Sequence, residues 1–155
     1  MSTLAVAPAR TMKTWSPIVI GGFAAGAFDL TSAFITFGWG VPRAIASGLL
    51  GGSAFQGGVG TWILGVALHF LIAFSAAALY YVASWKLSFL KEHFLVCGLF
   101  YGIAVFLVMN LVILPLSAVP WKIGPFDLAG LIKGLMIHMF LIGLPISFSV
   151  WKFSK

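Results

Sequence analysis

The stretch TWILGVALHFLIAFSAAALYYVAS, residues 61–84, decides the fold class. It contains no Asp, Glu, Lys or Arg. Crossing the roughly 30 Å hydrocarbon core of a bilayer takes about 20 consecutive apolar residues in a helix. The length and composition of this stretch therefore predict a helix that spans a membrane.

Three more segments have the same character, and the predicted spans cover about residues 17–38, 61–84, 93–117 and 127–150. The overall composition agrees, because 61% of the 155 residues are hydrophobic and 8% are charged. Soluble domains carry roughly 25% charged residues. We therefore predict an all-α fold, an integral membrane four-helix bundle over residues 17–150, with tails at 1–16 and 151–155.

The tryptophans test this assignment independently. Indole rings favour the headgroup level of a membrane, where the apolar ring and the polar N–H are both satisfied. All six lie at predicted span boundaries, three on each face: Trp15, Trp39, Trp62, Trp85, Trp121 and Trp151.

The basic residues predict the orientation of the chain. Lysine and arginine concentrate on the cytoplasmic side of membrane proteins. Six of the basic residues share one side of the predicted topology, namely Arg10, Lys13, Lys86, Lys91, Lys152 and Lys155, whereas the opposite side has Arg43 and Lys122. Both termini are therefore predicted to be cytoplasmic.

The net charge of +6 reflects topology and attraction to anionic lipid, so the expected partners are membrane lipids and not nucleic acid. A homo-oligomer or a larger membrane complex stays open.

A glycine-rich segment, GLLGGSAFQGGVGTW at residues 48–62, separates the first two spans. It lacks the lysine and the preceding strand of a P-loop, so it is not a phosphate cradle. Its backbone amides need partners at the membrane surface, which predicts an amphipathic or re-entrant segment. We expect a short helix over residues 42–52, since Pro42 suits a first turn. A filter built from backbone carbonyls is the alternative.

Short words of sequence recur in the two halves of the chain. VPRAI (41–45) resembles VPWKI (119–123), and HFLI (69–72) resembles HMFLI (138–142). Two duplicated helical hairpins, a repeat type known in transporters, are therefore a hypothesis for the fold.

Five polar residues fall within the predicted spans: Asp29, His69, Asn110, Lys133 and His138. A charge at the bilayer centre costs about 2.5 kcal/mol or more unless it is paired, hydrated or neutralised. Counting about 1.5 Å per helical residue places all five in one broad band of depth, which favours a single polar cluster. In such a cluster Asp29 would pair with Lys133 or accept a hydrogen bond from His69.

Three functions are compatible with this cluster. The first is a structural or accessory role, in which the polar groups specify helix packing. The second is a small proton- or ion-coupled carrier or channel component that uses Asp29, His69 and Lys133. The third is a b-type haem held by His69 and His138. The chain has few acids and no nucleophile beside a base, so we predict no catalytic residue and no enzyme. No metal site or resident cofactor is expected, since one cysteine and no zinc-type spacing are present.

Residues at the helix contacts and ends are also predictable. Glycines spaced four apart, at 22 and 26, 98 and 102, and 130 and 134, permit close approach of helix backbones. Asp127 suits an N-terminal cap of the last span. Pro145 predicts a kink in that span, with unbonded carbonyls around Leu141.

Several words of this sequence resemble one protein family. They are GFAAGAFD (22–29), IASGLLG (45–51), LGVALH (64–69), YG (101–102) and MN (109–110). They resemble a family of small bacterial four-helix inner-membrane proteins and, more distantly, the YagU-type inner-membrane proteins. The resemblance covers most of residues 17–150 and implies a location in the bacterial inner membrane. The family carries no assigned chemistry, so the resemblance assigns no functional residue.

Overall fold

The described part of the protein is a bundle of four long helices with two short α-helices. A computed structural model describes residues 15–121 and 127–154, and within these ranges every regular element is helical. In chain order the helices are α1 (Ser16–Phe37), α2 (Val41–Leu50), α3 (Val59–Ala83), α4 (Phe89–Glu92), α5 (Phe94–Leu116) and α6 (Leu128–Phe153).

The four long helices, α1, α3, α5 and α6, are each long and apolar enough to cross a membrane. The prediction of an all-α four-helix membrane bundle is confirmed, and each long helix begins and ends within three residues of its predicted bounds. All six tryptophans lie at or within five residues of a long-helix end. The expectations for residues 1–14, Lys122, Ile123 and Lys155 concern positions outside the described residues.

The long helices pack antiparallel in the order α3, α1, α6, α5. Helix α1 lies against both α3 and α6, and α6 also lies against α5. A buried apolar core joins α1, α3 and α6: Ala25, Ala76, Ala77, Tyr80, Tyr81, Ile142, Ile146 and Val150. The Ser149 hydroxyl donates to the Pro17 carbonyl oxygen at 2.9 Å. The start of α1 and the end of α6 therefore lie at the same end of the bundle.

Glycines form the closest helix contacts. A Cβ placed on Gly26 would lie 2.8 Å from the Phe70 ring of α3. On the other side of the bundle, a Cβ on Gly102 would clash with the His138 carbonyl of α6, and one on Gly143 would clash with the Gly98 carbonyl of α5. Lipid tails are as apolar as the helices, so close backbone packing supplies much of their attraction. The prediction of close helix contacts is confirmed for Gly22, Gly26, Gly98, Gly102 and Gly134. It is wrong for Gly130, which is exposed and meets only the Asp127 side chain of its own helix cap.

The same pairing occurs in both hairpins. Gly26 of α1 packs beside the segment of α3 that contains His69 and Phe70, and Gly102 of α5 packs beside His138 of α6. Equivalent glycines therefore meet equivalent histidine segments. The atoms differ, since the His69 imidazole bonds the Gly26 carbonyl whereas the His138 imidazole bonds Gly134 of its own helix. The shared register is what the duplication hypothesis predicts.

The glycine-rich segment is helical over most of its length. Helix α2 continues into a 3₁₀ turn at Gly51–Gln56, with Gly51 at a φ of +63°, a conformation that glycine adopts without steric cost. A Cβ on Gly65 of α3 would clash with the Pro42 carbonyl, so α2 lies directly on α3. The Ala118 amide also donates to the Gly48 carbonyl at 2.8 Å. The predicted short helix is confirmed, and it is fastened to α3 and to the end of α5.

Two π-helical segments interrupt the long helices, each two residues before a proline. Met109–Ile113 precedes Pro115 in α5, and His138–Gly143 precedes Pro145 in α6. Proline has no N–H and its ring collides with the carbonyl four residues earlier. A wider turn relieves this conflict, as the Leu144 amide bonds Met139, five residues back. The predicted irregularity around Leu141 is thus a π-helical segment. The equivalent segment in α5 was not anticipated.

Candidate functional site: the intramembrane polar groups

Asp29 of α1 and His69 of α3 meet between the two helices. The Asp29 Oδ2 atom lies 4.0 Å from the His69 Nε2 atom, and their side chains are 24% and 13% exposed. The same Nε2 atom lies 2.9 Å from the main-chain carbonyl oxygen of Gly26. A carbonyl oxygen only accepts hydrogen bonds, so Nε2 carries the hydrogen and donates it to Gly26. The contact with Asp29 is longer than a hydrogen bond and is therefore electrostatic.

The local sequence explains this geometry. Gly26 and Asp29 are three residues apart and so lie on one face of α1. The absence of a side chain at Gly26 lets the His69 imidazole reach the main chain of α1. Helix lengths place both groups near mid-membrane, since Asp29 lies about 12 Å from the end of α1 at Phe37 and His69 about 15 Å from the start of α3. The sequence estimate of equal depth for these two residues agrees with this contact.

His138 lies close to this pair but is hydrogen-bonded within its own helix. Its Nδ1 atom lies 2.9 Å from the Gly134 carbonyl oxygen, four residues earlier in α6. Its ring packs edge-on against Phe106 of α5, with ring centroids 5.2 Å apart. The segment of α6 that begins at His138 packs against α1, the helix of Asp29. Asp29 is therefore paired with His69 of α3 and lies on a helix that faces the His138 segment of α6.

Asn110 and Lys133 are placed differently. Asn110 Nδ2 donates to the Phe106 carbonyl oxygen of its own helix at 2.8 Å, one turn earlier. Lys133 is exposed, in the second turn of α6. Within residues 15–121 and 127–154, the ion pair formed by Asp29 is with His69 and not with Lys133. The structure therefore pairs Asp29 with His69 and places His138 on the segment of α6 that packs against α1. We call these three residues the polar centre, and Asn110 and Lys133 lie outside it.

The carboxylate and the two imidazoles of the polar centre can bind protons. The hydrogen bond from His69 to Gly26 also joins α3 to α1. Each histidine uses one ring nitrogen for a carbonyl, Nε2 in His69 and Nδ1 in His138. The second nitrogen of each neutral ring is then an acceptor. The described part of the chain contains no group of three His, Cys, Asp or Glu side chains arranged to hold a metal ion.

Asp127 acts at the start of α6. Its carboxylate accepts a hydrogen bond from the Gly130 amide at 3.0 Å and caps the N-terminus of α6. The predicted cap is confirmed.

Sequence reasoning did not identify the Gly26 carbonyl or the two tyrosines Tyr80 and Tyr101. Both hydroxyls donate to main-chain carbonyls, Tyr80 to Leu90 at 2.9 Å and Tyr101 to Ala76 at 2.7 Å. A signal for the tyrosines was present, since a phenolic hydroxyl inside an apolar span needs a hydrogen-bond partner. The backbone acceptor carries no side-chain signal at all.

Comparison with known proteins finds no matching family model, no matching curated protein and no matching solved structure.

Proposed function

We propose that this chain is a structural or accessory protein of the bacterial inner membrane, in which the polar centre holds the membrane helices in register. The observation that carries the proposal is the 2.9 Å hydrogen bond from His69 Nε2 to the Gly26 carbonyl. It joins α3 to the backbone of α1 at the glycine contact between them. We assign no catalytic step to the protein.

The physical setting supports this role. Apolar surfaces gain little from meeting one another in a lipid medium, so small residues and interhelical hydrogen bonds decide which helix faces pair. The Asp29–His69 contact lies beside Gly26, and Asn110 and His138 bond within their own helices. Among the described residues, these hydrogen bonds join neighbouring turns or neighbouring helices, and they do not form one chain of donors and acceptors through the bundle.

The charges at the two ends of the bundle support the orientation that we propose, with both termini in the cytoplasm. Lys86 and Lys91 follow α3, and Lys152 lies in the last turn of α6 at the same end of the bundle. The Phe94 and Trp151 rings stack there at 4.8 Å. Arg43 lies at the opposite end, in α2. Reporter fusions test this: cytoplasmic signals from both termini are expected, and signals from opposite sides would overturn the topology.

The role of the polar centre is tested with the Asp29→Asn and His69→Leu variants. Each is purified for thermal unfolding and reconstituted into vesicles that contain a pH-sensitive dye. We expect His69→Leu to unfold at a lower temperature, and we expect the wild type to pass no more protons than empty vesicles. Proton flux in the wild type that disappears in a normally folded Asp29→Asn variant would replace this proposal with transport.

A proton- or ion-coupled carrier or channel component is the second candidate. It is favoured by the position of the Asp29 carboxylate inside the span, 4.0 Å from the His69 imidazole. Ionisable groups inside a membrane commonly mark proton and ion pathways. Lys133 is the third residue of this carrier hypothesis. It lies near the start of α6, towards the end of the bundle opposite Lys152. A Lys133→Gln variant completes the flux experiment, because a carrier that uses Lys133 would lose flux without losing stability.

A further inference from the structure

A long apolar groove runs between α3 and α5. It has a volume of about 1160 Å³ and opens to the side of the bundle. The α3 wall extends from Leu71 to Ala83 and the α5 wall from Val96 to Ile113, and α4 covers one end with Phe89. We call this the α3–α5 groove. Its volume exceeds the 300–1,000 Å³ of ordinary small-molecule pockets.

The groove stays open because of how the four long helices are ordered. Helices α3 and α5 are the two ends of the order α3, α1, α6, α5, and the glycines that allow close packing of α5 face α6. Where α3 and α5 do meet, they are held by tyrosine hydroxyls, with Tyr101 bonding Ala76. The Tyr80 and Tyr101 rings pack edge to face at 4.8 Å and contribute to the lining. These bulky rings keep the two backbones apart.

The lining favours a hydrocarbon chain over a protein helix as the occupant. Helices that pair in membranes present small residues to one another. Most of the groove lining consists instead of large aliphatic and aromatic side chains, among them Leu71, Leu79, Val96, Phe100 and Met109. The small residues of the lining are Ser75, Ala76, Ala83, Cys97 and Ala104. Its α3 wall is about 18 Å long, close to the roughly 15 Å thickness of one hydrocarbon leaflet. One acyl chain fits this length.

The covered end of the groove is basic. His93 contributes to the lining there, and Lys86 and Lys91 flank the same end, with Lys152 of α6 on that side of the bundle. Glu92 is the one acid among these neighbours in the described chain. Positive side chains at the membrane surface attract anionic lipids, by about 1 kcal/mol for each lysine or arginine. The charge therefore complements an anionic headgroup at the end where an acyl chain would begin.

We propose that the α3–α5 groove binds one anionic phospholipid, with an acyl chain along Leu79, Phe100 and Val105 and the phosphate at Lys86 and Lys91. The lipid would seal the side of the bundle that the helices leave open. This inference is independent of the role proposed for the polar centre.

The proposal is tested by native mass spectrometry after the protein is extracted from nanodiscs. The nanodiscs contain phosphatidylglycerol or phosphatidylcholine with the same acyl chains. We expect one phosphatidylglycerol to remain bound per chain, with at least fivefold less phosphatidylcholine. Equal retention of the two lipids, or a rise in unfolding temperature with inorganic phosphate alone equal to that with phosphatidylglycerol, would overturn the proposal.

Two variants locate the site. Ala104→Phe adds a ring to the groove wall, and Ala67→Phe adds the same ring to an exposed position of α3 outside the groove. We expect the first to lose the bound lipid and the second to retain it. The Lys86→Gln/Lys91→Gln double variant leaves the wall unchanged and should lose the preference for phosphatidylglycerol, whereas Lys133→Gln should keep it.

The remaining outcomes count against the proposal. Retention of phosphatidylglycerol by both Ala104→Phe and the double lysine variant would show that the lipid binds elsewhere. A change from dimer to monomer in Ala104→Phe, without lipid loss, would assign the groove to a second copy of this chain.

Discussion

The Nε2 atom of His69 on α3 donates a hydrogen bond to the main-chain carbonyl of Gly26 on α1, at 2.9 Å. Asp29, one turn further along α1, lies 4.0 Å from the same nitrogen. One imidazole thus contacts both the backbone and the acid of a neighbouring helix. The absence of a side chain at Gly26 makes the contact geometrically possible.

Loss of this imidazole should weaken the α1–α3 contact. A His69→Leu variant is expected to lose about 1 kcal/mol of stability, within the range measured for intramembrane hydrogen bonds. In a chain of this size that lowers the unfolding temperature by about 2–4 °C. Thermal unfolding in detergent measures it. His93→Leu is the matched control, because His93 is exposed and its side chain caps no helix; equal losses in the two variants would contradict the assignment.

The backbone contact between α5 and α6 should be sensitive to a single methyl group. In Gly143→Ala the new Cβ would clash with the Gly98 carbonyl, whereas the space around Gly60 is open. Overpacking of this kind costs about 1–3 kcal/mol. We expect Gly143→Ala to reduce the unfolding temperature and the yield, and Gly60→Ala to leave both unchanged. Wild-type stability in Gly143→Ala would argue against this helix contact.

The Asp127 cap should matter at the start of α6. Asp127→Ala removes the acceptor for the Gly130 amide and should destabilise the first turn by about 1 kcal/mol. Hydrogen exchange of the amides near residue 130 is expected to become faster. Asp127→Asn keeps the acceptor oxygen and should protect these amides as the wild type does; equal exchange in both variants would show that the cap contributes nothing.

The Tyr101 hydroxyl should be a measurable tie between α3 and α5. Tyr101→Phe removes the hydrogen bond to the Ala76 carbonyl and keeps the ring. The expected loss is about 0.6–1.7 kcal/mol, read from thermal unfolding. Tyr81→Phe changes a more deeply buried tyrosine, one of the core cluster against which Tyr101 packs, and serves as the comparison. A larger loss in Tyr81→Phe than in Tyr101→Phe would contradict this ranking.

The haem hypothesis has a direct spectroscopic test. Under the structural role that we propose, protein purified from haem-supplemented cells should show no Soret band. A band that is present in the wild type and absent from both His69→Leu and His138→Leu would establish the bis-histidine site instead.

The membrane fold follows from one-dimensional features of the sequence. A span is recognised from the length of an apolar run, and residues 61–84 needed no partner to be identified. The Asp127 cap and the helix after Pro42 were equally predictable, because both depend on groups a few residues apart. The depth of Asp29 and His69 in the membrane was predicted by counting residues along each helix. The sequence predicted this depth, but it did not predict which polar residues are in contact.

The partner of each polar group depended on the rotation of each helix about its axis. Several polar residues at the same depth can be paired in more than one way. From the sequence alone, either Lys133 or His69 could be the partner of Asp29. Rotation is decided by which glycines meet which neighbours, since a glycine removes the side chain that would keep the neighbouring helix away. Gly26 therefore directs α1 towards His69, and Gly98 and Gly102 direct α5 towards α6. The α3–α5 groove is a consequence of the same choice, because the helix faces left without glycines are the ones that remain apart.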